Sequence, residues 1–312
     1  MVEAYMIKPD GSRLTLENIT GFTINREIGA ADDLTIKIAQ SNITKTNALH
    51  IELKIDGRVE FSGVIDEINI TESSGGYSTV IYARSTAALL LDNEAKPCDY
   101  KNADSKMIEQ NHIAPFGLEC VCQDDGEYTD LSVYKGISHW QVIKSFCRRC
   151  YGTEPYVNEE GKVVLCKRND TDAPLYFSNS DGIAYSSVTV NNRYYKLISS
   201  VFTKASGREE YDIENTNELA QCFGVVRRRY VDGEEQGNDA ARQLIDSGNE
   251  QSIGVRLSSP CFVHCPLNSL CTLKMLSGQC FDSLRCIKVK ISLTHRGFES
   301  VITMSGEIRR RE

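Results

Sequence analysis

Cys147-Arg148-Arg149-Cys150 is the most metal-like spacing in this chain, with two thiols about one helical turn apart. Cys120-Val121-Cys122 lies upstream, and Cys261, Cys265 and Cys271 lie far downstream. A structural zinc site needs two such pairs at a fixed separation, and only one Cys-x-x-Cys occurs here. Buried reduced thiols are therefore the favoured reading of the 12 cysteines, and no metal is expected. The five histidines, His50, His112, His139, His264 and His295, are scattered. A Cys-His nucleophile pair can be drawn from His139 to Cys147 or Cys150, but side chains that far apart along one helix do not face each other. Asp124-Asp125, Glu209-Glu210 and Glu234-Glu235 are adjacent acids in polar loops, whereas a glycosidase needs two carboxylates across a cleft. The motifs HExxH, GxSxG and GxxxxGK[ST] are absent. The residues name no catalytic set and no cofactor.

Charge narrows the partners. The chain of 312 residues carries a formal charge of -8, which argues against a nucleic acid held through its phosphates. Arg227-Arg228-Arg229 and Arg309-Arg310-Arg311 are the basic runs. In an acidic protein they read as intersubunit contacts to acidic loops of neighbours, with a solvated face or nucleic acid as the alternatives. The opening MVEAYMIKPDGSRL has no basic segment leading into an apolar core. No run approaches the roughly 20 apolar residues of a membrane span. The expectation is a soluble chain made in a cytoplasm, with no membrane partner and no disulfide framework.

These residues must be placed by elements, and the elements are mostly strands. Strands are predicted at Glu3–Ile7, Asn18–Ile24, Asp33–Ala39 and Ala48–Ile55, the last with clean period-two alternation. Asp56-Gly57 is a hairpin turn. Phe61–Ile70 and Tyr77–Arg84 form a second hairpin across Ser73-Ser74-Gly75-Gly76, and Ser85 is expected to cap a short apolar helix over Ala87–Leu91. From Cys98 the pattern changes. A helix is predicted over Asp104–Ile113, a strand over Leu118–Cys122, and a helix capped by Ser138 and stopped by Gly152. Trp140 sits on the apolar stripe of that helix and reads as core. A hairpin follows between Tyr156-Val157 and Lys162–Leu165. Strands return at Ile183–Val190, Leu197–Thr203, Gly224–Tyr230, Ile253–Leu257, Ser269–Met275, Leu284–Leu293 and Glu299–Ile308, with a helix at Asp239–Asp246. The fold class is β-rich α+β, in three parts: residues 1–97, a small α/β lobe at 98–174, and a second β part at 175–312. Hydrophobic content of 41% and charged content of 25% are ordinary for such a protein.

The stretch FSGVIDEI, then a strand, then ARSTAALLLDNEA resembles the tail baseplate hub proteins of phages, the late control protein D-like family. The residues that carry the likeness are Arg84, Ser85, Leu90, Leu91, Asp92, Asn93 and Glu94, with Ala83 where the family pattern has glycine. Trp140 near the start of its helix and the closing strands around SVITMSGEI add to it. The resemblance implies tube-like β-barrel or sandwich domains flanking a small α/β insertion. It implies a non-enzymatic hub of a phage or phage-like, contractile or bacteriocin tail. Three copies would close a ring that joins the tail tube protein to the spike protein among other baseplate proteins. The particle would be assembled in the bacterial host cytoplasm, and an acidic surface would let DNA pass without sticking. A tail-associated peptidoglycan hydrolase or peptidase, with the 98–167 lobe catalytic, is the competing expectation.

Overall fold

The computed structural model describes residues 1–39, 48–122, 126–165, 173–204, 209–232 and 240–309. Strand dominates, as the period-two segments predict. A sheet of 13 strands among these residues runs through Ser187–Asn192, Ile253–Ser259, Gly297–Gly306, Cys280–Thr294, Ile19–Glu27, Asp33–Ile38, Gly76–Ser85, Arg58–Ser73, His50–Ile55, Val2–Ile7 and Arg13–Thr15. Leu175–Ser178 joins it through Leu270–Lys274, which pairs with Cys280–Thr294. The join between the two ends of the chain is antiparallel pairing of Ile19–Glu27 with Cys280–Thr294, in register from Phe22↔Leu293 to Glu27↔Lys288. Its apolar side forms a continuous core: Phe22, Ile24, Ile36 and Ile81 from the first part pack with Val289, Ile291, Ile302 and Met304 from the last.

Long strands let one segment serve two neighbours. Arg58–Ser73 pairs with His50–Ile55 through its first half and with Gly76–Ser85 through its second, shifting register between Ile65 and Glu67. A bulge there turns the strand and re-aims Asp66. Gly63 sits at the handover. A Cβ on it would stand 2.1 Å from the Arg84 carbonyl oxygen, so no larger residue fits this strand crossing.

A second core belongs to the middle of the chain. Ala87 and Leu90 of the helix Ala87–Asp92, Ile108 and Ile113, and Trp140, Ile143 and Phe146 of the helix His139–Tyr151 pack over Val163 and Leu165. Ser138 caps His139–Tyr151 with its side chain accepting from the Gln141 amide, and Gln141 answers by accepting from the Ser138 amide. Gly152 ends the helix at φ +63°. A third, smaller core lies between the helix Ala240–Glu250 and a sheet of Ile213–Thr216, Ser200–Thr203 and Arg228–Val231.

Several expectations shift. Ser85 ends its strand, and the residue flanking the short helix is Thr86, whose hydroxyl donates to the Gly161 carbonyl at 2.7 Å instead of capping. The helix predicted over Asp104–Ile113 is one α turn at Ser105–Ile108, then a wider π turn at Glu109–Ile113. Asp104 does cap it, accepting from the Met107 amide. Strand Ile183–Val190 moves to Ser187–Asn192, and Gly224–Tyr230 moves to Arg228–Val231. Cys98–Ala103, Thr129–Val133 and Ile213–Thr216 are strands that alternation alone did not mark, being short and polar. The last helix runs over Ala240–Glu250, and its predicted start at Asp239 lies outside the described residues.

Candidate assembly surfaces and the interior charge cluster

The resemblance-bearing residues converge on one joint. Arg84 forks between two carboxylates: its Nε reaches Asp66 Oδ2 at 2.7 Å, and its Nη2 reaches Asp66 Oδ1 at 3.0 Å and Asp92 Oδ2 at 2.7 Å. Asp66 comes from the bulge and Asp92 from the end of the short helix, so the guanidinium ties sheet to helix. The same contact holds the Asp92 carboxyl below its ordinary range and raises Arg84 further. Ser85 Oγ accepts from the Asp32 amide at 3.1 Å. Leu90 is buried in the middle core and Leu91 packs beside it. Asn93 donates to the Leu89 carbonyl, and its own carbonyl accepts from His139. Glu94 Oε1 accepts from the Gly136 amide at 2.7 Å. Each of these contacts fixes geometry between parts of the chain, and none positions a reacting group.

Close by lies a cluster that the sequence did not announce. Arg26, on Ile19–Glu27, is 1% exposed. Its Nη2 donates to Glu60 Oε2 at 2.8 Å, and its Nη1 pairs with Glu159 from the turn of the middle lobe. Glu60 Oε1 meets His264 Nδ1 at 2.7 Å, from the loop before Leu270–Lys274. Asp32 is buried alongside. Burial pushes its carboxyl well above the usual range, against the pull of Arg26 and of the Glu27 amide that donates to it. One guanidinium thus gathers groups from the first sheet strands, the middle lobe and the C-terminal loop. Spacings of 34 and 133 residues from Arg26 to its two carboxylates hid this from any local reading.

The predicted chemical residues disperse. His139 does not meet Cys147 or Cys150. Its Nδ1 lies 3.0 Å from His112 Nδ1, and His112 Nε2 lies 3.1 Å from the Tyr100 hydroxyl. Burial and the neighbouring His139 lower His112 to about 4. Trp140 is core, with its indole donating to the Gly29 carbonyl. Cys147 is buried on the helix and Cys120 and Cys122 lie on a short strand, their sulfurs all thiols. Among the described residues, no three His, Cys, Asp or Glu side chains gather as a metal site. A cleft of about 380 Å³ is lined by Tyr151, Gly152, Arg242, Gln243, Asp246 and Glu250. Its two carboxylates stand a turn apart on one helix and not across the cleft, which is the wrong placement for two-carboxylate hydrolysis. Asp124-Asp125 and Glu234-Glu235 lie outside the described residues.

The basic runs sit at the surface. Arg227 donates to the Tyr195 carbonyl, while Arg228 and Arg229 lie exposed on the edge strand Arg228–Val231. Arg309 reaches Asp282 at 3.5 Å, and Arg310 and Arg311 lie outside the described residues. Around that edge strand Tyr230 stacks on Phe202 with ring centroids 5.3 Å apart, and Tyr211 meets Tyr230 edge-on.

No protein-family model matches the chain, and no curated protein matches it. Solved structures do. A tail protein from Neisseria meningitidis superposes with a TM-score of 0.76 at 13% identity, over 98% of this chain and 96% of its own. Its fold is that of phage tail proteins. The 43 kDa tail protein of prophage MuSo2 from Shewanella oneidensis gives 0.75 at 14% identity, over 97% and 98%. The E. coli type VI secretion component c3393, itself structurally similar to the T4 tail proteins gp27 and gp5, gives 0.60 at 11% identity, over 94% and 76%. The β-rich α+β reading and the tail-protein likeness drawn from Phe61–Pro97 both agree with this fold.

Proposed function

We propose that the chain is the structural hub of a phage or phage-like contractile tail, a non-enzymatic subunit. Three copies close a ring between the tail tube and the central spike. The observation that carries this is the end-to-end superposition on a tail protein, 98% of one chain on 96% of the other. The division into residues 1–97, 98–174 and 175–312 belongs to the same reading, with the outer two presenting tube-like surfaces to the tube and to other baseplate proteins. Extended sheets suit such a role because their edges take up neighbouring chains through backbone pairing. Closed rings follow when one heterologous contact repeats through a full rotation.

Light scattering on the purified chain, with negative-stain images, tests this. The expected particle is about 105 kDa, three times the 34.9 kDa chain, with a central hole, and it binds the tube and spike proteins. A monomer that binds neither protein and releases muropeptides from cell walls overturns it in favour of the hydrolase.

A further inference from the structure

The small sheet of Ile213–Thr216, Ser200–Thr203 and Arg228–Val231 has two edges of opposite charge. Ser200–Thr203 is central, antiparallel to Ile213–Thr216 and parallel to Arg228–Val231. One face is closed: Val201 and Val231 pack on Ala241 and Ile245 of the helix Ala240–Glu250. The other face carries the Phe202–Tyr230 stack, with Tyr211 edge-on to Tyr230. Register sets Phe202 beside both Glu214 and Tyr230, and Arg228 beside Ser200, which is buried, so Glu214, Phe202, Arg228 and Tyr230 share that face. Among the described residues, neither outer edge has a strand partner.

The acidic edge carries Glu214 on this face, with Asp212 two residues earlier, and the basic edge carries Arg228 and Tyr230. Arg228 forms no ion pair among the described residues, and neither does Glu214. Apolar surface accompanies the charge: Tyr230 is 62% exposed and Ile213 45%. Exposed aromatic and aliphatic groups on an unpaired edge mark a place for another strand.

We infer that the Arg228–Val231 edge of one copy pairs with the Ile213–Thr216 edge of the next copy. This inference rests on the ring proposed above and names the contact that would close part of it. The two edges run in opposite directions, so copies set side by side join antiparallel. In that arrangement Arg228 comes opposite Glu214 and Tyr230 opposite Asp212, on the same face, while Arg229 meets Ile213 on the other. The contact is heterologous, as a closed cyclic ring requires. A nucleic acid fits less well, since its phosphates would meet the carboxylate of Glu214 on the same face.

A charge swap tests the pairing in the full chain, read by light scattering with circular dichroism as a check on folding. Arg228→Glu and Glu214→Arg are each expected to weaken association about tenfold or more, and Arg228→Glu with Glu214→Arg in one chain is expected to restore it. Rising salt is expected to weaken the wild-type contact and leave the fold intact. A wild-type ring that both single variants preserve overturns the pairing and leaves the ring standing. Single variants that disperse the ring without rescue by the swap also overturn it. A wild-type chain that stays monomeric overturns the contact, while tube and spike binding still decides the hub reading separately.

Discussion

Arg26 and Arg228 are the same residue type put to opposite uses. Arg26 is taken out of water with Glu60, Glu159 and Asp32 around it, at the place where the first strands, the middle lobe and the C-terminal loop meet. Arg228 stands in water on an edge strand, without a carboxylate partner in its own chain among the described residues. A buried guanidinium has lost its hydration and is tolerable only where every part that carries a carboxylate has docked, so it reports correct internal assembly. An exposed one costs nothing to leave unpaired, so it is available to another chain. The difference separates what holds this subunit together from what it can offer a neighbour.

The comparison breaks most sharply at Arg26. Arg26→Ala is expected to cost about 3–5 kcal/mol in denaturant unfolding, because Glu60 and Glu159 are left without their cation. Unfolding free energy within about 0.5 kcal/mol of wild type would show that water relaxes the cluster and that it does not govern docking of the lobe. Gly63→Val probes the neighbouring strand handover. Its Cβ meets the Arg84 carbonyl, and a loss of about 3 kcal/mol is expected on the same measurement.

Acidity sharpens the contrast inside the middle lobe. His112 titrates at about 4 when folded and near 6.5 when unfolded, so the unfolded chain binds the proton first. Stability is therefore full above pH 6.5 and is lost as pH falls toward 4. His112→Gln is expected to flatten that part of the pH–stability curve. An unchanged slope would place the proton uptake elsewhere. Arg84→Ala loosens a half-exposed clamp and is expected to cost about 1 kcal/mol. Arg228→Ala is the smallest change, within about 0.5 kcal/mol for the unfolding of a single subunit, and its effect is expected in association instead.

Local pattern made much of the fold legible. The cap at Ser138, the hairpin at Asp56-Gly57 and the alternation in His50–Ile55 are short-range statements, and each forms as read. Ser85 failed for a long-range reason. Its hydroxyl looks identical whether it caps a helix or receives the Asp32 amide, and only the position of Asp32 decides. His139 likewise offered a cysteine along its own helix, yet tertiary packing brought His112 to it instead.

The sequence by itself determined the β-rich class, both ends of the helix His139–Tyr151 and, through Phe61–Pro97, the likeness to tail hubs. It also determined that basic runs stand out in an acidic chain. Tertiary structure alone decided that Ile19–Glu27 pairs with Cys280–Thr294, that Glu60, Glu159 and His264 gather round Arg26, and that acidic and basic edges lie on one small sheet. The physical reason is range. Caps, turns and alternation are set by neighbours a few residues away. Strand partners and buried ion clusters are chosen among groups hundreds of residues apart, by burial and hydrogen bonding that exist only once the chain has closed on itself.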